Sequence, residues 1–465
     1  MIHTSHGYWL EEAGAFGVTP PLESEVSADI LVVGGGYTGL WSAWHAKALE
    51  PGARVVLLES ETCGHGPSGR NGGFCNVMWF SLANMRQRWG DEEALAVARA
   101  SREAVTGIEA FCHEQQVDAW FRRSGYLQVS TAPAQDRTWE ETVASCRALG
   151  VLDAVEPLDA AAVAARCASP VFRGGALYPD TATVHPARLV LGLRERLQTA
   201  GVEIHEHSPV RRMHGSPGGV EARTDLGLVR ARRAIVAIGG AARSHRGPFR
   251  NSLTVTSSHI VLTEPVPDLL EEVGWTGGEC ITDCRTMLHY FRTTPDGRIA
   301  FGLGGGRIAM GSRLRGRVEV DPEVVAQAAG RLRHYFPGME GRRITHAWGG
   351  PIDVSPTHLP FVVPLRGGSV FAAAGFTGNG VGPTHMVGRT LASLALERHD
   401  EHSRLAFVDP SPQRVPPEPF HWLGGNLIRR GIMSREEAES EGRRPDPVSY
   451  LVSRVPELIG FHIGR

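Results

Sequence analysis

Lysine is all but missing from this chain: Lys47 is the only one among 48 lysine and arginine residues. Chemistry that needs a lysine anywhere else, such as a pyridoxal phosphate Schiff base or a phosphate-binding P-loop, is excluded. Cysteine offers little more. Cys63, Cys75, Cys112, Cys146, Cys167, Cys280 and Cys284 are odd in number, scattered and without a C-x-x-C pair, which argues against a disulfide framework and a zinc site. No metal is expected. Neither sign of charge is in excess, since 48 basic residues meet 50 acidic ones for a formal net charge of −2, so neither nucleic acid nor an anionic membrane is an expected partner. No apolar run approaches the roughly 18 residues needed to span a bilayer. Met1 to Glu11 has neither the basic start nor the apolar stretch of a secretory signal. The expectation is a reduced, cytoplasmic enzyme.

What the chain does have is glycine, 56 of 465 residues, gathered in clusters. Its length suggests two or three domains, and its 42% hydrophobic and 21% charged content is that of an ordinary globular protein. Residues 1–27 read as an irregular arm. Ala28 to Val33 is a short β-branched run that ends in three glycines, the pattern of a buried parallel strand. Leu40 to Leu49 has helical composition, and Arg54 to Leu58 is a second buried strand ending at Glu59. Together they have the size of one βαβ unit. Residues 81–170 read as helical, and 252–310 as antiparallel sheet with a turn at Pro295-Asp296-Gly297. A helix is predicted over 322–336. A last buried strand, Val370 to Ala374, runs into glycines 375–382 and a helix from about 384 to 398. The tail from 401 shows no pattern that converts into function.

Gly34-Gly35-Gly36-Tyr37-Thr38-Gly39 is a G-x-G-x-x-G in its required setting, between strand and helix. Gly34 permits the tight turn, Gly36 lets a pyrophosphate approach the backbone, and Gly39 lets helix and strand pack closely. Glu59 lies 20 residues after Gly39, at the end of the second strand, where a carboxylate accepts from ribose hydroxyls. This predicts a dinucleotide site. A single fingerprint with no redox C-x-x-C argues against a reductase using both FAD and NAD(P)H. The cluster at Gly302 to Gly306 places Arg307 where a third glycine belongs. The late cluster Gly375 to Gly382 can bring helix N–H groups beside a flavin ring.

The run Ala28 to Leu40 resembles the start of the D-amino-acid-oxidase superfamily of flavoproteins. Ser68 to Phe74 (SGRNGGF) is similar to the gamma-glutamylputrescine oxidase and glycine/sarcosine oxidase-like branch. So are Thr263-Glu264-Pro265, Tyr290 to Arg298 with Phe301 and Gly302, Gly375 to Gly380, and Pro416 to Pro419 with Trp422 to Gly425. The resemblance implies FAD held by Gly34, Gly36, Tyr37, Thr38, Gly39, Glu59 and Ser60. The Ser68, Gly69, Arg70, Asn71, Gly72 and Gly73 loop would run beside the pyrophosphate and ring. Val210 and Gly239 match further nucleotide contacts. Gly375, Gly378, Asn379, Gly380, Val381, Gly382 and Thr384 match the ring end. Relatives that link flavin covalently do so through a cysteine near the Trp348 to Pro356 turn or a histidine in the early loop. Here no cysteine is present in that turn and Asn71 occupies the loop position, so the FAD is expected to be non-covalent. The lysine those oxidases use toward oxygen has no counterpart, since Arg298 is what the comparable strand offers.

The resulting expectation is an α/β fold: a discontinuous Rossmann-type FAD-binding domain (28–83, 171–254 and 345–400) and a substrate domain with antiparallel sheet (84–170 and 255–344), followed by a C-terminal extension (401–465). The resemblance implies oxidation of a small-molecule primary or secondary amine, with loss of hydride from the carbon bearing nitrogen, imine hydrolysis, and oxygen returning as hydrogen peroxide. His259, Tyr290 and Arg298 are the catalytic candidates, each with an ordinary structural alternative. Arg292, Trp348 and Asn379 are the substrate candidates, Arg292 as a grip for an acidic group on the amine. Asp353 reads as a turn former or a weak polar-site candidate. A dehydrogenase passing electrons to another acceptor, an aromatic hydroxylase, and a flavin-bearing assembly subunit remain as rival readings.

Overall fold

The computed structural model describes residues 2–3, 7–14, 16–244, 248–365, 367–409 and 411–462. Its centre is a parallel stack in which Glu203–His205, Val55–Leu58, Glu25–Val33, Leu228–Val236 and Val370–Ala374 lie side by side. Val55–Leu58 and Val370–Ala374 are buried at every position. That is why they read as unbroken apolar runs and not as alternating strands. Leu228–Val236 changes partner along its length: Ala231 pairs with Val220 of an antiparallel extension, whereas Ala234 to Val236 pair with Val370 to Ala372. The helix Tyr37–Leu49 returns over this stack and packs on the helix Pro383–Ala395. The fold is therefore α/β with a Rossmann-type core.

A second sheet of nine strands is mostly antiparallel. Thr254–Thr263 lies between Ile344–Val354 and Ile299–Leu303, and His289–Thr293 follows on the far side of Ile299–Leu303. Its two faces have different tasks. Val261, Phe291 and Phe301 point under the helix Pro322–Tyr335 and pack with Val324, Ala328 and Leu332. Ile260, Ala300 and Trp348 point the opposite way, toward the Rossmann core. Period-two alternation thus divides neighbouring residues between a core and a site.

Four sequence expectations change. Residues 81–170 are largely helical but also contribute Tyr126–Val129 and Glu156–Leu158 to the second sheet. Gly175–Tyr178 and Ile344–Val354, assigned by sequence to the nucleotide segments, hydrogen-bond into that second sheet. Runs of this kind declare a strand but not its partner. The N-terminal arm contains the helix Gly7–Glu12, and the tail forms the helices Phe420–Ser440 and Pro447–Leu458, which pack together. No helix among the described residues is long and apolar enough to cross a membrane.

A buried ion pair fastens the arm to the core. Arg194 donates to both oxygens of Glu206 at 3.1 and 2.8 Å, and the same carboxylate accepts the N–H groups of Thr19 and Cys63, each at 2.8 Å. Burial alone would raise the Glu206 pKa, but Arg194 and the two N–H groups outweigh it and hold the acid below its usual range. Its stabilisation is therefore present at neutral pH and is lost as pH falls through the folded pKa. Glu206→Gln leaves the Arg194 charge uncompensated and is expected to cost about 3–5 kcal/mol, measurable by denaturant unfolding. An unchanged midpoint would show that the pair does not secure the arm.

Candidate active site

One cavity of about 1580 Å3 runs from the glycine turn of the Rossmann core to the inner face of the second sheet. At its nucleotide end the close packing needed for a dinucleotide is visible atom by atom. Gly34 has φ +112, and a Cβ at Gly39 would meet the Gly34 carbonyl oxygen at 1.9 Å. Gly36 has only Ser68 Oγ within 3.0 Å of such a Cβ. That hydroxyl accepts the Tyr37 N–H at 2.9 Å, so the early loop is fastened to the first turn of the helix. Glu59 accepts the N–H of Gly35 at 2.6 Å and of Glu61 at 2.8 Å, and Ser60 Oγ donates to it at 3.0 Å. Its carboxylate is held at the cavity wall, together with Val210 and Gly239. These residues fit the adenosine and pyrophosphate parts of FAD.

The ring end also fits. Gly378 has φ +78 and Thr377 φ +53, turning the chain so that Gly378, Asn379, Gly380, Val381 and Thr384 line the cavity at the start of the helix Pro383–Ala395. The positive end of that helix dipole therefore meets the cavity. Asn76 donates to Asn379 Oδ1 at 3.2 Å, tying this turn to the early loop. Asp353 is beneath it and accepts the Gly375 N–H at 2.6 Å. Burial pushes this acid up to about 6. Sequence gave Asp353 only a minor part, but it is the support of the ring-end turn.

Several predicted cofactor residues shape the backbone without lining the cavity. A Cβ on Gly69 would meet the Gly64 oxygen at 2.4 Å, on Gly73 the Val184 oxygen at 2.2 Å, and on Gly382 the Asn76 oxygen at 2.3 Å. Gly375 has φ +83, and its Cβ would strike Phe361 and Ser355. Gly39 belongs with them. Gly72, Asn71, Arg70 and Ser68 do face the cavity. Asn71 Oδ1 accepts the Gly73 N–H at 2.7 Å, and Arg70 contributes its carbonyl to Trp348 Nε1 at 2.8 Å.

The catalytic and substrate candidates divide sharply. Tyr290 lies across Gly302, whose Cβ would be 2.0 Å from the ring, and against Gly72. Its hydroxyl is 2.7 Å from Ser258 Oγ, and Ser258 donates to the Leu303 carbonyl at 3.0 Å. When Ser258 donates to Leu303, Tyr290 donates to Ser258 and its oxygen is left as an acceptor toward the cavity that both residues line. Burial pushes the phenol up to about 12, so it stays protonated.

His259 corrects a sequence expectation. It shares the helix-side face with Val261, is fully buried, and its Nε2 accepts the Asp321 N–H at 3.0 Å. Burial lowers it to about 4, which keeps it neutral. It serves the cap of the helix Pro322–Tyr335. Arg298 is also corrected: it donates to Asp296 at 2.6 Å and to the Thr263 carbonyl at 3.0 Å, fastening the hairpin outside the cavity. Arg292 shares the Tyr290 face, as alternation predicts, but donates to the carbonyls of Val184, Gly73 and Thr293. It holds the early loop and offers no grip to a substrate. Trp348 lines the cavity and, itself buried, donates its Nε1–H to the Arg70 carbonyl, so it also positions the early loop. Lys47 donates to the Pro51 and Ala53 carbonyls at the far end of the nucleotide helix.

The tail supplies what sequence did not show. The helix Phe420–Ser440 lies over the chamber and contributes Gly425, Ile428, Arg429 and Ile432 to it. In the sequence this segment is marked only by the likeness of Pro416 to Pro419 and Trp422 to Gly425 to the resembled branch, which does not reveal a helix over the cavity.

Two substitutions probe this geometry. Glu59→Gln is expected to weaken FAD by about 1–3 kcal/mol through loss of a charge-assisted bond, read by flavin titration of the apoprotein. Unchanged affinity would remove Glu59 from the site. Asp353 has a folded pKa above its ordinary carboxylate value, so its contribution to stability falls as pH rises through about 6. D353N is therefore expected to gain about 2–3 kcal/mol on the wild type between about pH 4 and about pH 7. A pH-independent difference in melting would contradict the buried charge.

Comparison with known proteins places this geometry. A family described as FAD dependent oxidoreductase matches residues 29–394. The chain is 29% identical over 431 residues to gamma-glutamylputrescine oxidoreductase of Escherichia coli (strain K12), covering 92% of this chain and 95% of that protein. It is 27% identical to a probable oxidoreductase OrdL of Rhizobium meliloti (strain 1021), covering 90% and 92%. Among solved structures, glycine oxidase from Geobacillus kaustophilus superposes with a TM-score of 0.68 at 20% identity, over 84% of this chain and 100% of that one. L-proline dehydrogenase from P. horikoshii superposes with 0.67 at 17%, over 84% and 98%. An oxidase and a dehydrogenase thus share the fold. With the fingerprint, the ring-end turn and the matched span in agreement, the chain belongs to the FAD dependent oxidoreductase family.

Proposed function

We propose that the chain oxidises a primary or secondary amine at the carbon bearing nitrogen. The product is an imine, which water hydrolyses to a carbonyl compound and an amine or ammonia; molecular oxygen takes up the two electrons and two protons as hydrogen peroxide. The observation that carries this reading is the hydroxyl chain that links Tyr290, Ser258 and the Leu303 carbonyl at the cavity wall. It presents an acceptor beside the Gly72 loop, suited to an amine N–H. The relationship to gamma-glutamylputrescine oxidoreductase across nearly the full length of both chains supports it.

FAD supplies the two-electron oxidation when bound. The protein's part is to hold the amine neutral and oriented. Phe74, Ile260, Met287 and Leu288 give the chamber apolar walls, and Arg70 and Arg429 add positive charge; both disfavour an ammonium ion and favour the free amine. Once the nitrogen lone pair is free, it drives loss of hydride from the adjacent carbon, and no side chain need act as a base. Tyr290 stays protonated and accepts the N–H. The cofactor is non-covalent, a reading supported by the absence of cysteine from the cavity walls among the described residues.

The position of Lys47, on the nucleotide helix and away from the chamber, favours a second reading in which electrons pass to an acceptor other than oxygen. Anaerobic mixing of the holoenzyme with a panel of amines, followed by air, separates the two. Bleaching of the flavin by an amine and rapid return of colour in air with peroxide formed is the expected result. Bleaching with slow recovery would establish the dehydrogenase, and no bleaching by any amine would reject both. Tyr290→Phe is expected to lower kcat/KM about tenfold, the value of one hydrogen bond. An unchanged kcat/KM would show that the phenol does not touch the amine.

A further inference from the structure

The helix Gly7–Glu12 has only six residues, yet it touches the early loop and both of the side chains that fasten that loop to the second sheet. A Cβ on Gly7 would stand 2.9 Å from Trp348 Cδ1 and 3.1 Å from its Nε1, the atom that donates to the Arg70 carbonyl. Leu10 lies against Gly69, 3.1 Å from where a Cβ would be. Glu12 is 2.8 Å from His185 Nε2 and accepts from Arg188 at 2.6 Å. His185 follows Val184, whose N–H donates to the Gly73 carbonyl at 2.9 Å. Ile2 and His3 pair with His346 and Ala347, beside Trp348. All of this lies outside residues 29–394, the part of the chain matched by the family.

Trp9 is the centre of these contacts. Its ring meets the Trp348 ring edge to face, with centroids 6.0 Å apart and planes at 82°. The Arg292 guanidinium carbon stands 5.8 Å from the Trp9 centroid, over its face. Arg292 is buried and has no acid partner among the described residues; its bonds go to the carbonyls of Thr293, Gly73 and Val184. Burial lowers its pKa to about 10, so the guanidinium stays charged. Carbonyl dipoles and the negative face of the indole therefore offset the desolvation of this cation. Trp9 is itself fully buried, and its Nε1 has no hydrogen-bond partner among the described residues. A buried N–H without an acceptor is a cost that phenylalanine or leucine would avoid. Apolar bulk alone does not account for tryptophan here; the face it turns to the cation does.

We propose that Trp9 is a positioning residue for the flavin: by carrying the charge of Arg292 on its face and seating Trp348, it fixes the loop Ser68 to Phe74 in the shape that receives FAD. The N-terminal arm thereby completes the cofactor site from behind, without lining the cavity. The proposal rests on the FAD site alone and is independent of the amine-oxidation reading.

The test titrates FAD into the apoproteins of wild type, Trp9→Phe, Trp9→Leu and Trp9→Met, recording the flavin absorbance spectrum at saturation and the melting temperature of each. Phenylalanine keeps an aromatic face, whereas leucine and methionine keep only apolar bulk. Trp9→Phe is expected to bind FAD within about threefold of wild type with the same flavin spectrum. Trp9→Leu and Trp9→Met are expected to bind at least about tenfold more weakly and to shift the spectrum. In an Arg292→Met background the preference for an aromatic ring should vanish. Equal losses in all three variants, or unchanged affinity and spectrum in the two non-aromatic ones, would overturn the proposal. So would an aromatic preference that persists without Arg292. Failure of the Trp9 variants to fold would overturn it as well, because Trp9 would then serve the fold as a whole and not the flavin loop.

Discussion

The early glycine loop is the constraint on which the rest of the site depends, because it is clamped between the two sheets. Ser68 fastens it to the nucleotide helix by accepting the Tyr37 N–H. Trp348 and Arg292 fasten it to the second sheet through the carbonyls of Arg70 and Gly73. The loop is packed so closely that a side chain would meet the Gly64 carbonyl at Gly69, the Tyr290 ring at Gly72, and the Val184 carbonyl and Arg292 at Gly73, so glycine there is a steric requirement. A loop fixed at both ends sets the distance between the dinucleotide cradle and the Tyr290 chamber. The two halves of the cavity then work as one.

The near absence of lysine becomes intelligible in the same terms. Arg292 and Arg194 are both buried, and each makes several simultaneous bonds, to backbone carbonyls in one case and to a carboxylate in the other. A planar fork can do this with a single fixed side chain, whereas an ammonium group cannot match the geometry. Arginine here is a structural fastener in the interior.

The sequence was most informative where chemistry is local. The fingerprint, Glu59 and the glycines 375–382 are contiguous, and steric demands that act within a few residues leave a local trace. Alternation also placed Tyr290 and Arg292 on one face of their strand. What it could not supply was the segment lying over that face: Arg292 meets Val184 and Gly73, distant in sequence, and so became a fastener. His259 was misread because the strand's position near the site was legible but not which face of it the helix Pro322–Tyr335 would cover. The position of the helix Phe420–Ser440 over the cavity stayed hidden because it depends on contacts distant in sequence, such as that of Arg429 with the Gly305 carbonyl, 124 residues away.

The central claim is that the loop at Ser68 to Phe74 and the Tyr290–Ser258 pair, which meet at Gly72, together wall the part of the cavity that takes the flavin ring and the amine. A crystal structure of the FAD-loaded protein with a non-oxidisable amine analogue tests this most directly. The account predicts the ring beside that loop and the Gly378–Gly380 turn, with the analogue's nitrogen in hydrogen-bond contact with the Tyr290 oxygen. A ring bound away from that loop, or an amine that leaves Tyr290 untouched, would contradict it.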